Sequence, residues 1–339
     1  MINSILLVPV LASFFITLFL LPYWIRKAKE IGLVWPDMNK SVSEKVSGSG
    51  GLIVVLGFLI GSLLFVAYRI FYLKESIHLI SILSALLVIL MLSATGFIDD
   101  LLGWRKGGLS KRSRIILVFL AAIPLMVINA GKDIVSIPIL GNIPLGIIYP
   151  LIIIPLGIIG ATTTFNFLAG FNGLEAGQGI IVLTALSFVA FFTGNSCISI
   201  LGLCMAASLF AFLIYNFHPA KVFPGDVLTY PVGGLIAVMA ILGNFEKIAV
   251  FFFIPYIIEF FLKLRGRLLK QSFGKPRKSG ELDLEYEKIY GLTHLSILLL
   301  KKMRIKSTEK NAVYLIWIFH LTIIILGFLI FGRGIFLNV

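Results

Sequence analysis

Long apolar runs alternate with short polar stretches along this whole chain. Ten runs of about 17–25 residues stand at 4–23, 50–68, 77–98, 115–130, 146–164, 179–194, 196–216, 228–244, 248–264 and 312–332. Each is able to cross ~30 Å of hydrocarbon as a helix. Strands of a membrane barrel would alternate apolar and polar residues over about ten positions, whereas these runs are continuously apolar. The predicted fold class is therefore all-α, a polytopic membrane protein of about ten transmembrane helices. Nothing between the runs is long enough to fold as a separate soluble domain, and no internal repeat is visible. Residues 1–339 read as one integral membrane domain, with 265–311 as a long loop inside it.

Charge orients the bundle. With the N-terminus outside, the inner loops are 24–49, 99–114, 165–178, 217–227 and 265–311. Counting Lys263 at the last boundary, they hold 24 of the 29 Lys and Arg residues. That bias places these loops in the cytoplasm and both termini outside. The first run has no basic stretch ahead of it and no small-residue cleavage site. Arg26, Lys27 and Lys29 follow it, as suits an uncleaved anchor. The net charge of +13 is thus a property of one face. The positive-inside rule accounts for it; the sharper reading is that part of it meets substrate or lipid phosphate. Cys197 and Cys204 fall in one apolar run and read as packed thiols, with no disulfide framework or zinc site.

Polar chemistry gathers on that same face. The segment from Phe165 to Gln178 joins two apolar runs, yet carries Asn166, Asn172, Glu175 and Gln178 among closely spaced glycines. Lipid tolerates irregular polar backbone only where it is buried in protein or meets water. Asp99 and Asp100 close an apolar run of about twenty residues, and an ionised Asp at mid-bilayer costs roughly 2.5–3.5 kcal/mol. The pair suits Mg²⁺ binding or acid–base work, and equally a helix end reaching water. Asp226 follows Pro224-Gly225 and is a metal ligand or an ordinary helix cap. Phe223 is a ligand platform or an interfacial anchor. Asn166 and Asn172 suit loops and caps, and Glu175 a cap. Lys111 and Arg277 suit membrane-surface charge, His218 and His294 structural roles, and Glu259 an i,i+4 pair with Lys263. A transporter would place such groups nearer the midplane, so the arrangement favours a catalyst joining a soluble substrate to a lipid.

In their order these motifs resemble the polyprenyl-phosphate N-acetylhexosamine-1-phosphate transferases. The resemblance is to the eukaryotic and archaeal branch, over about residues 35–280. The Asn166–Gln178 segment is similar to its asparagine loop, Val222-Phe223-Pro224-Gly225-Asp226 to its Phe-x-Gly-Asp turn, and Asp99-Asp100 to its paired aspartates. The resemblance implies a ten-helix fold with a cytoplasmic active site. The reaction it implies is transfer of GlcNAc-1-phosphate from UDP-GlcNAc to dolichyl (polyprenyl) phosphate, releasing UMP. That is the first lipid-linked step of protein N-glycosylation.

It further implies Mg²⁺, or Mn²⁺ in its place, held by Asn166 and Asp226. Asp99 and Asp100 are implied as catalytic, Asn172 and Phe223 as uracil contacts, and Lys111 and Arg277 as phosphate ligands. The expected partners are UDP-GlcNAc, the lipid phosphate and membrane lipid, with no nucleic acid and a homodimer allowed. The alternatives are another UDP-N-acetylhexosamine donor, or a transporter or flippase for a lipid-linked anion. The last inner loop lacks the histidine run of the muramyl-pentapeptide branch, which argues against a peptidoglycan substrate. No retention signal is visible, which favours an archaeal plasma membrane over the endoplasmic reticulum. Residues 284–306 read as an amphipathic element along the membrane.

Overall fold

The structure, a computed structural model, describes residues 6–41, 44–132, 134–137 and 141–336. Among these, eight helices are long and apolar enough to cross a membrane. They are α1 (Leu7–Glu30), α2 (Gly51–Ala67), α3 (Leu79–Lys106), α5 (Ile154–Phe167), α6 (Leu174–Phe192), α7 (Ser196–Asn216), α8 (Asp226–Gly243) and α12 (Glu309–Phe336). Wider π-helical turns extend α2 to Leu73 and lead into α5 from Tyr149.

Two predicted runs take a different form. The run at 115–130 is α4 (Lys111–Val127). It begins early because Ser110 caps it, its hydroxyl accepting from the Ser113 N–H at 3.1 Å. The run at 248–264 is a broken pair, α9 (Glu246–Phe252) and α10 (Ile254–Arg265). Pro255 has no N–H to continue the α9 ladder. The expected amphipathic element is helical only as α11 (Leu292–Lys302), whose Leu292, His294, Ile297 and Leu300 are buried. Cys204 is fully buried, but Cys197 is only half-buried.

The bundle is built around α8, in which all residues from Val227 to Ile241 are buried. Helices α2, α3, α5, α6 and α7 pack against it. Little in lipid drives apolar helices together, so close backbone approach through small residues carries much of the association. Gly233 is the clearest case. A Cβ there would lie 2.7 Å from the carbonyl oxygen of Ala161 and 2.8 Å from the Cα of Thr162, both backbone atoms of α5. A Cβ on Gly234 would clash only with the tip of the Leu92 side chain of α3 and touch the Thr162 hydroxyl at an ordinary 3.5 Å. The N-terminus of α8 therefore emerges beside the last turn of α5 and the last turns of α3.

Among the described residues, three two-stranded antiparallel hairpins lie outside the helices. They are β1 (Val34–Pro36) with β2 (Lys45–Ser47), β3 (Ile134–Ile137) with β4 (Gly141–Pro144), and β5 (Lys275–Pro276) with β6 (Leu282–Asp283). The first hairpin is stitched to the segment before α8. Phe223 N–H donates to the Ser47 carbonyl at 2.7 Å, and Gly50 and Gly51 N–H return bonds to the carbonyls of Phe223 and Pro224 at 2.9 and 3.0 Å. The free N–H groups at the start of α2 are satisfied in this way.

Gly233→Ala and Gly234→Ala test this packing. The first forces helix backbones apart; the second needs only a leucine rotamer. Thermal melts of detergent-purified protein are expected to show Gly233→Ala as the more destabilising, at about 1–3 kcal/mol for an overpacked core site. Equal melting temperatures for the two variants would contradict backbone contact at Gly233.

Candidate active site

At one end of the bundle the loops enclose a cavity of about 520 Å³, within the usual range of about 300–1,000 Å³ for small-molecule sites. Its wall includes Asp99 and Asp100 of α3, Asn166 at the end of α5, Asn172, Phe223 and Asp226, all residues of the predicted site. Sequence reasoning missed Asp37, Ser49, Arg114, Gln271 and Phe273, which also line it.

Asp100 caps α8 from a neighbouring helix. Its Oδ1 accepts the Asp226 N–H at 2.7 Å, and its Oδ2 accepts from the Ser49 hydroxyl at 2.9 Å and the Val227 N–H at 3.4 Å. An anion at a helix N-terminus also meets the positive end of the helix dipole. Gly225, at φ 72°, makes the approach possible, since a Cβ there would sit 2.2 Å from Asp100 Oδ2. Asp226 is therefore not the cap of α8. It occupies the first helical position, and its carboxylate is left for the cavity.

Asp99 has other partners. Its Oδ1 accepts from the Leu109 N–H at 2.8 Å and from Arg114 Nη2 at 3.0 Å. Its Oδ2 accepts from the Tyr230 hydroxyl at 3.3 Å and makes an ion pair with Arg114 Nε. The cation beside the paired aspartates is thus Arg114, one turn into α4. Lys111, at the exposed first position of that helix, does not line the cavity. The Ser110 cap was the legible signal: it starts α4 at Lys111 and so turns Arg114 towards α3.

The asparagine loop is held by side chains from distant parts of the chain. Glu175 Oε1 accepts the Gly170 N–H at 2.8 Å, and Asn216 Oδ1 accepts the Gly173 N–H at 3.1 Å. Glu309, the first residue of α12, accepts the Asn172 N–H at 2.7 Å. Glu175 therefore secures the loop ahead of its own helix. His218 is structural in the same sense, its Nδ1 lying 3.0 Å from Glu309 Oε2. Glu259 and Lys263 do meet, at 3.9 Å, while Glu259 Oε2 also accepts the Leu292 N–H at the start of α11. His294 Nε2 bonds the Phe273 carbonyl at 3.1 Å, and burial holds its pKa below the ordinary histidine value. Arg277 stands apart from the cavity. It is exposed on the β5–β6 hairpin and pairs with Asp283. Lys301 first, and Arg277 second, hold the Asp283 carboxyl below the usual range.

The donor set fits a hard divalent cation. The carboxylate of Asp226 lines the same cavity as those of Asp99 and Asp100. Asp99 is paired with the Arg114 guanidinium, whereas the Asp226 carboxylate has no such cation among the described residues. Asn166 adds an amide oxygen, fixed by the Thr229 hydroxyl at 3.1 Å. Mg²⁺ takes one or two carboxylates and leaves its other positions to water and substrate phosphate. It needs no full protein cage.

The carboxylates, the arginine and the amide-rich loop thus gather around one cavity at the end of a polytopic helical bundle. The chain belongs to glycosyl transferase family 4, whose model matches residues 82–244. It is similar to a protein of Saccharolobus solfataricus, 38% identical over 92% of each chain, provisionally named UDP-N-acetylglucosamine–dolichyl-phosphate N-acetylglucosaminephosphotransferase. A Sulfolobus acidocaldarius protein with the same provisional name is 35% identical over 92% of each chain. The Dictyostelium discoideum enzyme of that name is 31% identical over 71% of this chain and 67% of its own.

Arg114 and Lys111 separate geometry from motif spacing. Arg114→Gln leaves the buried Asp99 without its counter-charge, although the arginine itself is 37% exposed and solvent screens part of the loss. Its kcat/KM is expected to fall at least about a hundredfold, with a clearly smaller loss for Lys111→Gln. A larger effect at Lys111 would show that the lysine reaches substrate from its exposed position.

Proposed function

We propose that this chain transfers GlcNAc-1-phosphate from UDP-GlcNAc to dolichyl (polyprenyl) phosphate. A phosphate oxygen of the lipid bonds to the phosphorus that bears the sugar. The pyrophosphate P–O bond breaks, and UMP leaves with the electron pair. The products are GlcNAc-diphosphodolichol and UMP. The observation that carries this reading is the meeting of Asp99, Asp226 and Arg114 on one cavity at the helix ends. The same cavity is lined by Phe223 and Asn172. Anionic phosphates and a planar base find complementary chemistry side by side.

The roles divide accordingly. Asp226 and Asn166 are the residues that would hold Mg²⁺, and the bound ion would supply charge neutralisation for the phosphates. Phe223 stacks on uracil and Asn172 hydrogen-bonds its edge. Asp99, steered by Arg114, and Asp100, which fixes the start of α8, shape the reacting end. Lipid phosphate is already largely ionised at neutral pH, its second pKa being about 6. Positioning and charge neutralisation therefore count for more than base catalysis. A transferase assay with UDP-GlcNAc and UDP-GalNAc, reading UMP release, tests the reaction and its sugar.

We also propose ten spans, with α4 and the α9–α10 pair as the two short ones. Both termini lie outside and the cavity faces the cytoplasm, as the basic loops indicate. In a Cys197→Ser background, cysteines at Lys132 and Arg333 are expected to react with an impermeant thiol reagent in intact cells. Cysteines at Lys278 and Lys302 are expected not to react. The reverse pattern would invert the topology.

Asp226→Asn probes the metal. Transfer at ordinary Mg²⁺ is expected to fall at least about a thousandfold, or ~4 kcal/mol. In metal-free buffer the same variant should melt no lower than the natural chain, because a repelling carboxylate is gone. Near-normal transfer would remove Asp226 from the metal site.

A further inference from the structure

The phosphate chemistry leaves one part of the cavity wall unused: the buried surroundings of Asn172. Asp37 and Glu309, each 3% exposed, reach it from opposite ends of the chain. Asn172 Nδ2 donates to Asp37 Oδ2 at 3.0 Å, and the Asn172 main-chain N–H donates to Glu309 Oε1 at 2.7 Å. Both carboxylates are themselves held. Asp37 Oδ1 accepts the Asn39 N–H at 3.1 Å, and Lys40 Nζ lies 3.4 Å from its Oδ2. Glu309 also accepts from Asn39 Nδ2 at 3.1 Å and meets His218 Nδ1 at 3.0 Å. The main chain and the amide of Asn172 are thus fixed separately, by different residues.

An ionised carboxylate only accepts hydrogen bonds. Beside Asp37 the Asn172 amide therefore has one orientation, with its NH₂ group towards the aspartate. Its Oδ1 accepts from no described residue, and Asn172 lines the cavity. That oxygen is what the side chain offers a ligand. An unconstrained amide would turn over and present a donor or an acceptor as the ligand required.

We propose that Asp37 is a positioning residue that locks the Asn172 carbonyl oxygen towards the cavity, and so makes the site select uracil over cytosine. The inference rests on the reading of this chain as a UDP-sugar transferase with Asn172 at the base. Uracil carries an N3–H that donates to the locked oxygen. Cytosine has a bare lone pair at N3, which faces the oxygen's own lone pairs. A site built around one hydrogen bond rejects the analogue lacking it, because its polar group is left unpaired.

The test is equilibrium binding of UMP, CMP and N3-methyl-UMP to the detergent-purified full chain. UMP is expected to bind about a hundredfold tighter than either analogue, a difference of ~2.7 kcal/mol. Asp37→Asn keeps the shape but can donate as well as accept, so the Asn172 amide can turn. In that variant the UMP-to-CMP ratio is expected to fall to about tenfold or less, with the melting temperature confirming the fold. Asp37→Ser is the second variant should the first not fold. A natural chain that binds UMP but does not discriminate against CMP or N3-methyl-UMP overturns the proposal without a mutation. So does a folded Asp37 variant that keeps the full ratio. Absence of any UMP binding by the natural chain would sink the transferase reading instead.

Discussion

The carboxylate of Asp100 on the amides of Asp226 and Val227 is the contact from which the rest of the site follows. Helix α8 is the most enclosed element of the bundle, and its first N–H groups emerge where little water can reach them. A buried donor left unpaired costs about 1–3 kcal/mol, so some acceptor must come to it. Here the acceptor belongs to another helix. That single choice fixes the relative depth of α3 and α8, requires glycine at position 225, and releases Asp226 from capping.

The same solution recurs around the cavity. Backbone carbonyls of Phe223 and Pro224 meet the first amides of α2, Asn216 meets the amide of Gly173 just before α6, and Glu259 caps α11. Several helix ends at this face are thus satisfied by groups from elsewhere in the chain, while Ser110 closes the start of α4 locally. In a water-soluble protein these ends would be closed by their own loops or by solvent. In a membrane protein, cross-bonding turns a ring of helix ends into one rigid rim. A rim of that kind is what a transfer reaction needs, because much of its rate comes from holding two anions in line rather than from proton transfer.

Much of this was legible in the sequence. Continuous apolar runs gave most of the helices, and the clustering of Asp, Asn and Gly at their ends marked the functional face. The losses have physical causes. Periodicity cannot see that Pro255 divides one apolar run into α9 and α10, because both halves are equally apolar. Motif spacing pointed to Lys111, whereas the Ser110 cap sets the helical phase that brings Arg114 to Asp99. Asp37 and Glu309 were invisible, since each acquires its meaning from a partner more than a hundred positions away. Arg277 was read as a phosphate ligand, but in the structure it is spent on Asp283, an acidic neighbour on its own hairpin.

A rim cross-bonded in this way also decides which residues tolerate change. Asp226 and Asn166, which line the cavity, make few bonds to protein, so on the proposed reading replacing them mainly removes function. Asp100 and Glu309 each satisfy several backbone or amide donors at once. Replacing either opens a helix end as well as disturbing the cavity. Loss of activity alone therefore does not distinguish a group that touches substrate from one that holds the rim. Stability does, because substrate-facing carboxylates repel one another and their removal relieves strain, whereas removal of a rim carboxylate leaves buried N–H groups without partners. The opposite signs of these two effects follow from where each carboxylate finds its hydrogen-bond donors.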